Sequence, residues 1–169
     1  MLPFPGPLSG HMAQHIVLMN LLAPLAMLVL RRHLPRRLGR SLTAASVVQL
    51  LVLWGWHAPP ALEAALGSLL LHLTMQASLL AAALWFWAAV VATVGEDRWR
   101  AMVALLITSK LFCLLGVLMV FAPRAIYAVL GPAAHTMHGG SFNPLADQQL
   151  AGLLMLVACP ATYLVAGVV

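Results

Sequence analysis

The chain begins its first long apolar run with His11-Met12-Ala13-Gln14-His15, and apolar residues continue through positions 16–30. A helix crosses the core of a bilayer with about 20 apolar residues, so residues 12–30 are predicted to span a membrane. Residues four apart lie on the same face of a helix, which places the two imidazoles one above the other near one end of this span. Pro24 lies inside the span and removes one backbone hydrogen bond, so a kink is expected there.

The composition indicates a membrane protein throughout. Of the 169 residues, 63% are hydrophobic and only 8% are charged, whereas about 25% of the residues of a soluble domain are charged. Apolar length predicts five membrane helices, at about residues 12–30, 41–56, 69–92, 101–121 and 146–167. We therefore expect an all-α integral membrane protein in which residues 1–169 form a single membrane domain.

Arginine placement predicts the orientation of this bundle. Five of the nine Lys and Arg residues lie between Arg31 and Arg40, after the first helix. Cytoplasmic loops of membrane proteins carry an excess of such residues, so the N-terminus is expected outside and the C-terminus inside. The same clustering makes nucleic acid an unlikely explanation for the net charge of +5, because the arginines follow a loop at a membrane surface. The lipid bilayer is the expected partner of the apolar faces.

This topology gathers potential metal ligands on the outer side. Six of the seven histidines fall there, namely His11, His15, His57, His72, His135 and His138. Met75, Met137 and Asp147 lie on the same side. Imidazole suits copper, zinc, iron and nickel, and thioethers favour Cu(I). One interfacial histidine is more often an anchor than a ligand, but several that converge point to a metal site, and histidine with methionine and without paired cysteines points to copper.

Two polar residues within the apolar runs have alternative interpretations. Asp147 opens the fifth helix, where it can satisfy free N–H groups; it could also orient an imidazole beside the metal. Lys110 lies near the middle of the fourth helix. A buried charge there is costly, so Lys110 is expected to face the bundle interior near Thr108 and Ser109, with a side chain that extends to the membrane surface as the alternative.

Several motifs resemble those of the membrane-embedded CtaG family of cytochrome c oxidase assembly factors. They are His11-Met12-Ala13-Gln14-His15 before Ala23-Pro24, Trp54-Gly55-Trp56-His57-Ala58-Pro59, the helix around His72, and Ala146-Asp147-Gln148-Gln149 with Gly152 and Met155. The resemblance spans residues 11–155. It implies a multi-pass protein of the bacterial inner membrane that takes part in building the oxidase at its copper centres. The family usually has about seven helices, and its third-helix motif often carries a second histidine where Met75 and Gln76 stand here.

We therefore expect an assembly factor that binds copper, with Cu(I) favoured, at its outer periplasmic face and assists its delivery to cytochrome c oxidase. The expected ligands are His11, His15, His57 and His72, with Met75 and Asp147 nearby, and His135, Met137 and His138 form a loop that captures or releases the ion. Oxidase subunits are the expected partners, and a soluble copper chaperone is a candidate one. No nucleophile–base pair is evident, so the chain is not expected to be an enzyme. The alternatives are a b-type haem electron carrier, with histidines on facing helices as haem ligands, and a metal-free structural partner of an oxidase.

Overall fold

The computed structural model describes residues 6–127 and 143–168, and the described chain is helical throughout, without strands. Five segments are long and apolar enough to cross a membrane: Pro7–His33, Arg36–His57, Leu69–Ala92, Gly95–Phe121 and Pro144–Gly167. The prediction of an all-α bundle with five membrane helices is confirmed. The side of the membrane that each end faces stays a prediction.

The described residues form seven α-helices, six within these segments and one between two of them. We number them α1 (Pro7–Ile16), α2 (Ala23–Val29), α3 (Leu42–His57), α4 (Pro59–Gly67), α5 (Leu69–Ala92), α6 (Arg98–Phe121) and α7 (Pro144–Val168). Helices α1 and α2 are joined by a π-helical segment, Val17–Leu22, and together form the first span. The short α4 connects α3 to α5, and Pro residues occupy its first turn, where their missing N–H costs nothing.

The π-helical segment follows from Pro24, which cannot donate a hydrogen bond to the fourth carbonyl before it. The backbone ladder slips by one residue, so the N–H of Ala23 donates to the carbonyl of Leu18 instead of that of Met19. The indole Nε1 of Trp87 donates to the freed Met19 carbonyl at 2.9 Å. The distortion before Pro24 therefore takes the form of one extra residue in a helical turn, and Trp87 of α5 binds the carbonyl that this leaves. The kink expected at Pro24 stays a prediction.

The two ends of the bundle differ in character. At the arginine end, which contains Arg31–Arg40 and Arg98–Arg100, the loop after the first span packs on the end of α5. There the Trp85 indole donates to the Ser41 hydroxyl at 3.0 Å, and a Cβ at Gly39 would lie 3.1 Å from the carbonyl oxygen of Ala92. The histidine end is the opposite one and contains His11, His15, His57 and His72. The sequence correctly predicted that these two sets of residues would separate.

Two facing glycines allow α6 and α7 to cross at close range. A Cβ added to Gly152 would lie 2.7 Å from the Gly116 carbonyl oxygen, and one added to Gly116 would lie 2.9 Å from the Gly152 carbonyl oxygen. Small residues at a crossing let helix backbones approach in a membrane, where close packing replaces the hydrophobic effect as the attraction between helices. This crossing fixes α7, and with it the residues that α7 contributes at the histidine end.

The prediction that Lys110 faces the bundle interior is wrong. Lys110 is exposed on the outer surface of α6, in register with the exposed side chains of Leu106 and Leu114, whereas Thr108 and Ser109 are buried. The reason is helical periodicity: the buried row of α6 runs through positions 105, 108, 109, 112, 116 and 119, and position 110 points away from that row. The amine is therefore not enclosed by protein, and the side chain must extend towards the membrane surface to reach water.

Candidate metal centre

The start of α1 is fixed by a carboxylate from the far end of the sequence. Asp147 accepts hydrogen bonds from the backbone N–H groups of Gly6, Leu8 and Ser9 at 2.9–3.2 Å, and also from the Ser9 hydroxyl. These are the N–H groups that a helix cannot satisfy by itself. A Cβ at Gly6 would overlap the carboxylate, so the close approach requires glycine. Asp147 therefore sets where α1 begins and how His11 is presented.

The two glutamines that follow Asp147 attach α7 to the end of α6. Gln148 donates to the Met119 carbonyl at 3.0 Å and Gln149 donates to the Val120 carbonyl at 3.3 Å. Both acceptors lie in the last turn of α6, where helix carbonyls lack partners. The Asp-Gln-Gln sequence thus joins the start of α1 and the end of α6 to the first turn of α7.

Four histidines from three helices form a row at the histidine end. Ring centroids are 5.5 Å apart between His72 and His11, 4.2 Å apart between His11 and His15, and 5.9 Å apart between His15 and His57. The α1 pair lies on one helix face, as the spacing of four predicts, while α5 contributes His72 and α3 contributes His57. His11, His15 and His57 are 4–6% exposed, and His72 is partly buried. The structure therefore brings together all four histidines that the sequence singled out on helices.

The orientation of His57 is defined on both sides of its ring. Its Nδ1 donates to the Leu53 carbonyl at 2.7 Å, since a carbonyl can only accept, and its Nε2 lies 3.3 Å from the sulfur of Met12. In the neutral ring the proton is on Nδ1, so Nε2 and the sulfur face each other with lone pairs. Tyr127 donates to the His57 backbone carbonyl at 3.0 Å, and burial raises the pKa of Tyr127 to about 12, which keeps the phenol protonated.

The two histidines of α1 are hydrogen-bonded to each other. Nε2 of His11 and Nε2 of His15 are 2.7 Å apart and share one proton, while Nδ1 of His15 is buried and has no hydrogen-bond partner among the described residues. Within the described ranges, no three side chains among His, Cys, Asp and Glu are already arranged to hold a metal ion. The four rings are neighbours, but the bond within the α1 pair must open before both Nε2 atoms could serve one ion.

The other expected ligands have different surroundings. The described partners of Asp147 are the first residues of α1, as stated above, and Met75 is completely buried in the core. The side-chain amide nitrogen of Gln76 lies 3.4 Å from Nε2 of His72. His135, Met137 and His138 lie outside the described residues. The sequence did not single out Met12 as a neighbour of His57; its position between the two α1 histidines was the available signal.

A known family model matches nearly the whole chain. Residues 6–169 match the family model Caa3_CtaG, described as the cytochrome c oxidase caa3 assembly factor. No curated protein and no solved structure gives a significant match. The matched region includes all four histidines of the row and the Asp-Gln-Gln sequence. The chain belongs to the cytochrome c oxidase caa3 assembly factor family.

Proposed function

We propose that this chain binds copper as Cu(I) at its row of histidines and assists the delivery of that copper to cytochrome c oxidase. The observation that carries the proposal is the row of four imidazoles from α1, α3 and α5, in which neighbouring ring centroids are 4.2–5.9 Å apart. Burial of so many polar rings at one end of a membrane bundle costs free energy unless they have partners or a function.

The contact between His57 and Met12 supports a soft metal. Two lone pairs that face each other without a proton between them repel weakly, and a cation between them converts that repulsion into two bonds. In a tetrahedral centre with metal–nitrogen bonds of about 2.0 Å and metal–sulfur bonds of about 2.3 Å, the two ligand atoms are about 3.5 Å apart. Nε2 of His57 and the Met12 sulfur are 3.3 Å apart, which fits this geometry. The Nδ1 bond to Leu53 holds the ring in the tautomer that a metal requires.

The His11–His15 pair is suited to exchange of the ion. Two imidazole nitrogens on one tetrahedral metal lie about 3.3 Å apart, whereas the pair is 2.7 Å apart in its hydrogen-bonded form. Binding therefore replaces the proton between the two Nε2 atoms, which moves to Nδ1 of the ring that carried it, and opens the pair by about 0.6 Å. The hydrogen bond reforms when the ion leaves, so it offsets part of the cost of release. Such a site favours transfer over permanent storage.

Membership in the oxidase assembly family supports the oxidase as the recipient of the ion. The ion enters from the outer, periplasmic face of a bacterial inner membrane, and His135, Met137 and His138 take part in its capture or release. Subunits of cytochrome c oxidase are the partners, and a soluble copper chaperone is a candidate donor. In this role the chain transfers an ion and catalyses no covalent reaction.

A haem protein is the less favoured alternative. The cavity beside His15 and His57 has a volume of about 20 Å³, whereas sites for organic cofactors measure about 300–1,000 Å³. A single ion fits such a space, and a macrocycle does not. A metal-free scaffold for the oxidase remains the second alternative, and the experiment below separates it from copper delivery.

The test is replacement of the natural protein by variants in a cell that depends on it. His57→Ala and His11→Ala are expected to lower both the copper content and the activity of the oxidase in isolated membranes, with normal amounts of the variant proteins. His33→Ala is the matched control, because His33 is exposed at the arginine end. Growth with added copper is expected to restore part of the activity. Normal oxidase copper content in both variants would overturn the proposal, and loss of oxidase subunits with no response to copper would favour the scaffold.

A further inference from the structure

A small cavity lies directly beyond the histidine row, towards the middle of the bundle. Its volume is about 20 Å³, enough for one atom the size of a water molecule. His15 and His57 of the histidine row line its outer part, together with Met12. Sulfur-bearing residues on two spans line its deeper part, namely Met19, Met155 and Cys159. Three thioether side chains and one thiol side chain therefore surround a space of atomic size.

Polar groups beside this cavity have unused hydrogen-bonding capacity. Asn20 is 3% exposed; its Nδ2 donates to the Cys159 sulfur at 3.1 Å, and its Oδ1 is buried without a hydrogen-bond partner in the part of the chain that the structure describes. Nδ1 of His15 is a second buried atom for which residues 6–127 and 143–168 provide no hydrogen-bond partner. Native proteins leave few such atoms, and each one calls for an explanation. The bond from Asn20 also places a donor on the sulfur, which stabilises negative charge there when the thiol loses its proton.

The π-helical segment is what directs α1–α2 residues to this place. Met19 and Asn20 both belong to Val17–Leu22, where the slipped ladder changes the angular position of every side chain relative to a regular helix. Met19 and Asn20 are both buried, with 3% of each residue exposed. Pro24 and Trp87 hold this geometry, as described above. The cavity therefore depends on a local distortion of the first span, and Pro24 and Trp87 stabilise that distortion.

We infer that this cavity is a second copper site, which holds one Cu(I) ion through Met12, Met19, Met155 and Cys159. The assignment of the ion as copper rests on the proposed function, whereas the preference for a soft monovalent ion follows from the side chains that line the cavity. Thioether and thiolate ligands select Cu(I). Binding through Cys159 forms a copper–sulfur bond and releases the thiol proton, so the ion and its thiolate enter the apolar space as a neutral pair. Methionine is flexible enough to move inward to bonding distance.

Charge disfavours divalent ions in this cavity. The cost of moving an ion out of water rises with the square of its charge, so a divalent ion pays about four times as much as a monovalent one. The residues that line the cavity include no carboxylate that could compensate. The histidine row and the inner site are then two successive positions for one kind of ion, with Met12 between them.

The experiment is a titration of the detergent-purified chain with Ag(I) and with Cu(I) under argon, followed by desalting and elemental analysis. Wild type is expected to retain two ions per chain, and Met19→Leu/Met155→Leu one. Met27→Leu is the matched control, because Met27 is buried in the same span but does not line the cavity; it is expected to retain two. His11→Ala/His15→Ala is expected to lose the outer ion and keep the inner one.

The outcomes separate the two proposals. If wild type retains one ion that the histidine variant loses and the methionine variant keeps, the inner site is overturned and the proposed function stands. If the one ion is lost only in the methionine variant, the histidine row is overturned as a binding site and the inner site stands. A thiolate-to-copper absorption band on Cu(I) loading provides a second measurement, should the double variant fail to fold. The band is expected to disappear in Cys159→Ser and to persist in Cys113→Ser; its persistence in both variants would overturn the inner site.

Discussion

Replacement of Asp147 by asparagine is expected to destabilise the whole histidine end. The carboxylate oxygens of Asp147 accept three backbone N–H groups and one hydroxyl. Asparagine retains one acceptor oxygen and turns an NH₂ group towards the remaining donors, so at least one buried N–H loses its partner and the charge is lost as well. A hydrogen bond to a charged group contributes about 1.5–3 kcal/mol, and a helix cap about 0.5–2 kcal/mol. We expect a loss of about 2–4 kcal/mol in the free energy of unfolding.

The assay is thermal unfolding in detergent, followed by tryptophan fluorescence. For a chain of this size a loss of 2–4 kcal/mol lowers Tm by roughly 4–16 °C. Two glycines of the same segment serve as comparisons. Gly6→Ala is expected to destabilise, because its Cβ would overlap the carboxylate of Asp147, and most of that cost is expected to vanish in an Asp147→Ala background. Gly10→Ala is the control: its Cβ meets nothing within 4 Å, and alanine favours the helix by up to about 1 kcal/mol.

Metal loading distinguishes a cap from a ligand. If Asp147 acts as a cap, Asp147→Asn lowers the stability of the metal-free protein by the amount given above. If it acts as a ligand, the metal-free stability is unchanged and only the gain on loading with Cu(I) is lost. A change of less than 0.5 kcal/mol in the metal-free protein, about the size of ordinary surface effects, would refute the assignment of Asp147 as the cap of α1.

Three further substitutions test the remaining parts of the fold. Trp87→Phe removes the donor to the Met19 carbonyl, and the orphaned carbonyl is expected to cost about 1–3 kcal/mol in the same unfolding assay. Gly116→Ala places a methyl group against the Gly152 carbonyl and is expected to lower Tm and to weaken the packing of α6 on α7, measured as faster proteolysis of the purified chain. Lys110→Leu is expected to leave Tm and Cu(I) binding unchanged or slightly improved, because the side chain lies on the exposed face of α6.

For each of these three substitutions, one result would contradict the expectation. An unchanged Tm in Trp87→Phe would mean that the π-helical segment does not depend on the indole. Gly55→Ala is the control for the glycine crossing, since its Cβ meets nothing within 4 Å, and equal effects of Gly55→Ala and Gly116→Ala would remove the argument for close approach. A loss of several kcal/mol in Lys110→Leu would mean that the amine makes a buried contact.

The fold was largely predictable from apolar length and the placement of arginines. These two features depend on the bilayer, whose thickness and polarity are known in advance, so they locate spans without knowledge of packing. The predicted span of residues 69–92 has the same bounds as α5, Leu69–Ala92. The start of α1 was placed at residue 12 and lies at Pro7, because the cap comes from Asp147, about 140 residues away in sequence, and local patterns do not contain that contact.

The site was predictable in its residue types and less so in its contacts. The spacing of His11 and His15 predicted their shared face, and the position of His57 and His72 at helix ends predicted their convergence. The contact of Met12 with His57 was not predictable, since it depends on how α1 is rotated against α3. Lys110 was misplaced for a similar reason: its depth in the membrane was evident from sequence, but its direction depends on which face of α6 packs against α7.

The most direct test of copper binding is the metal content of the purified protein, measured by elemental analysis and an absorption spectrum after anaerobic loading with Cu(I). Wild type is compared with His11→Ala/His15→Ala, and His33→Ala is the control at the arginine end. We expect the double variant to lose one copper ion per chain relative to wild type and His33→Ala to lose none. Equal copper content in all three proteins, or no retained copper in wild type, would contradict the histidine row as a copper site.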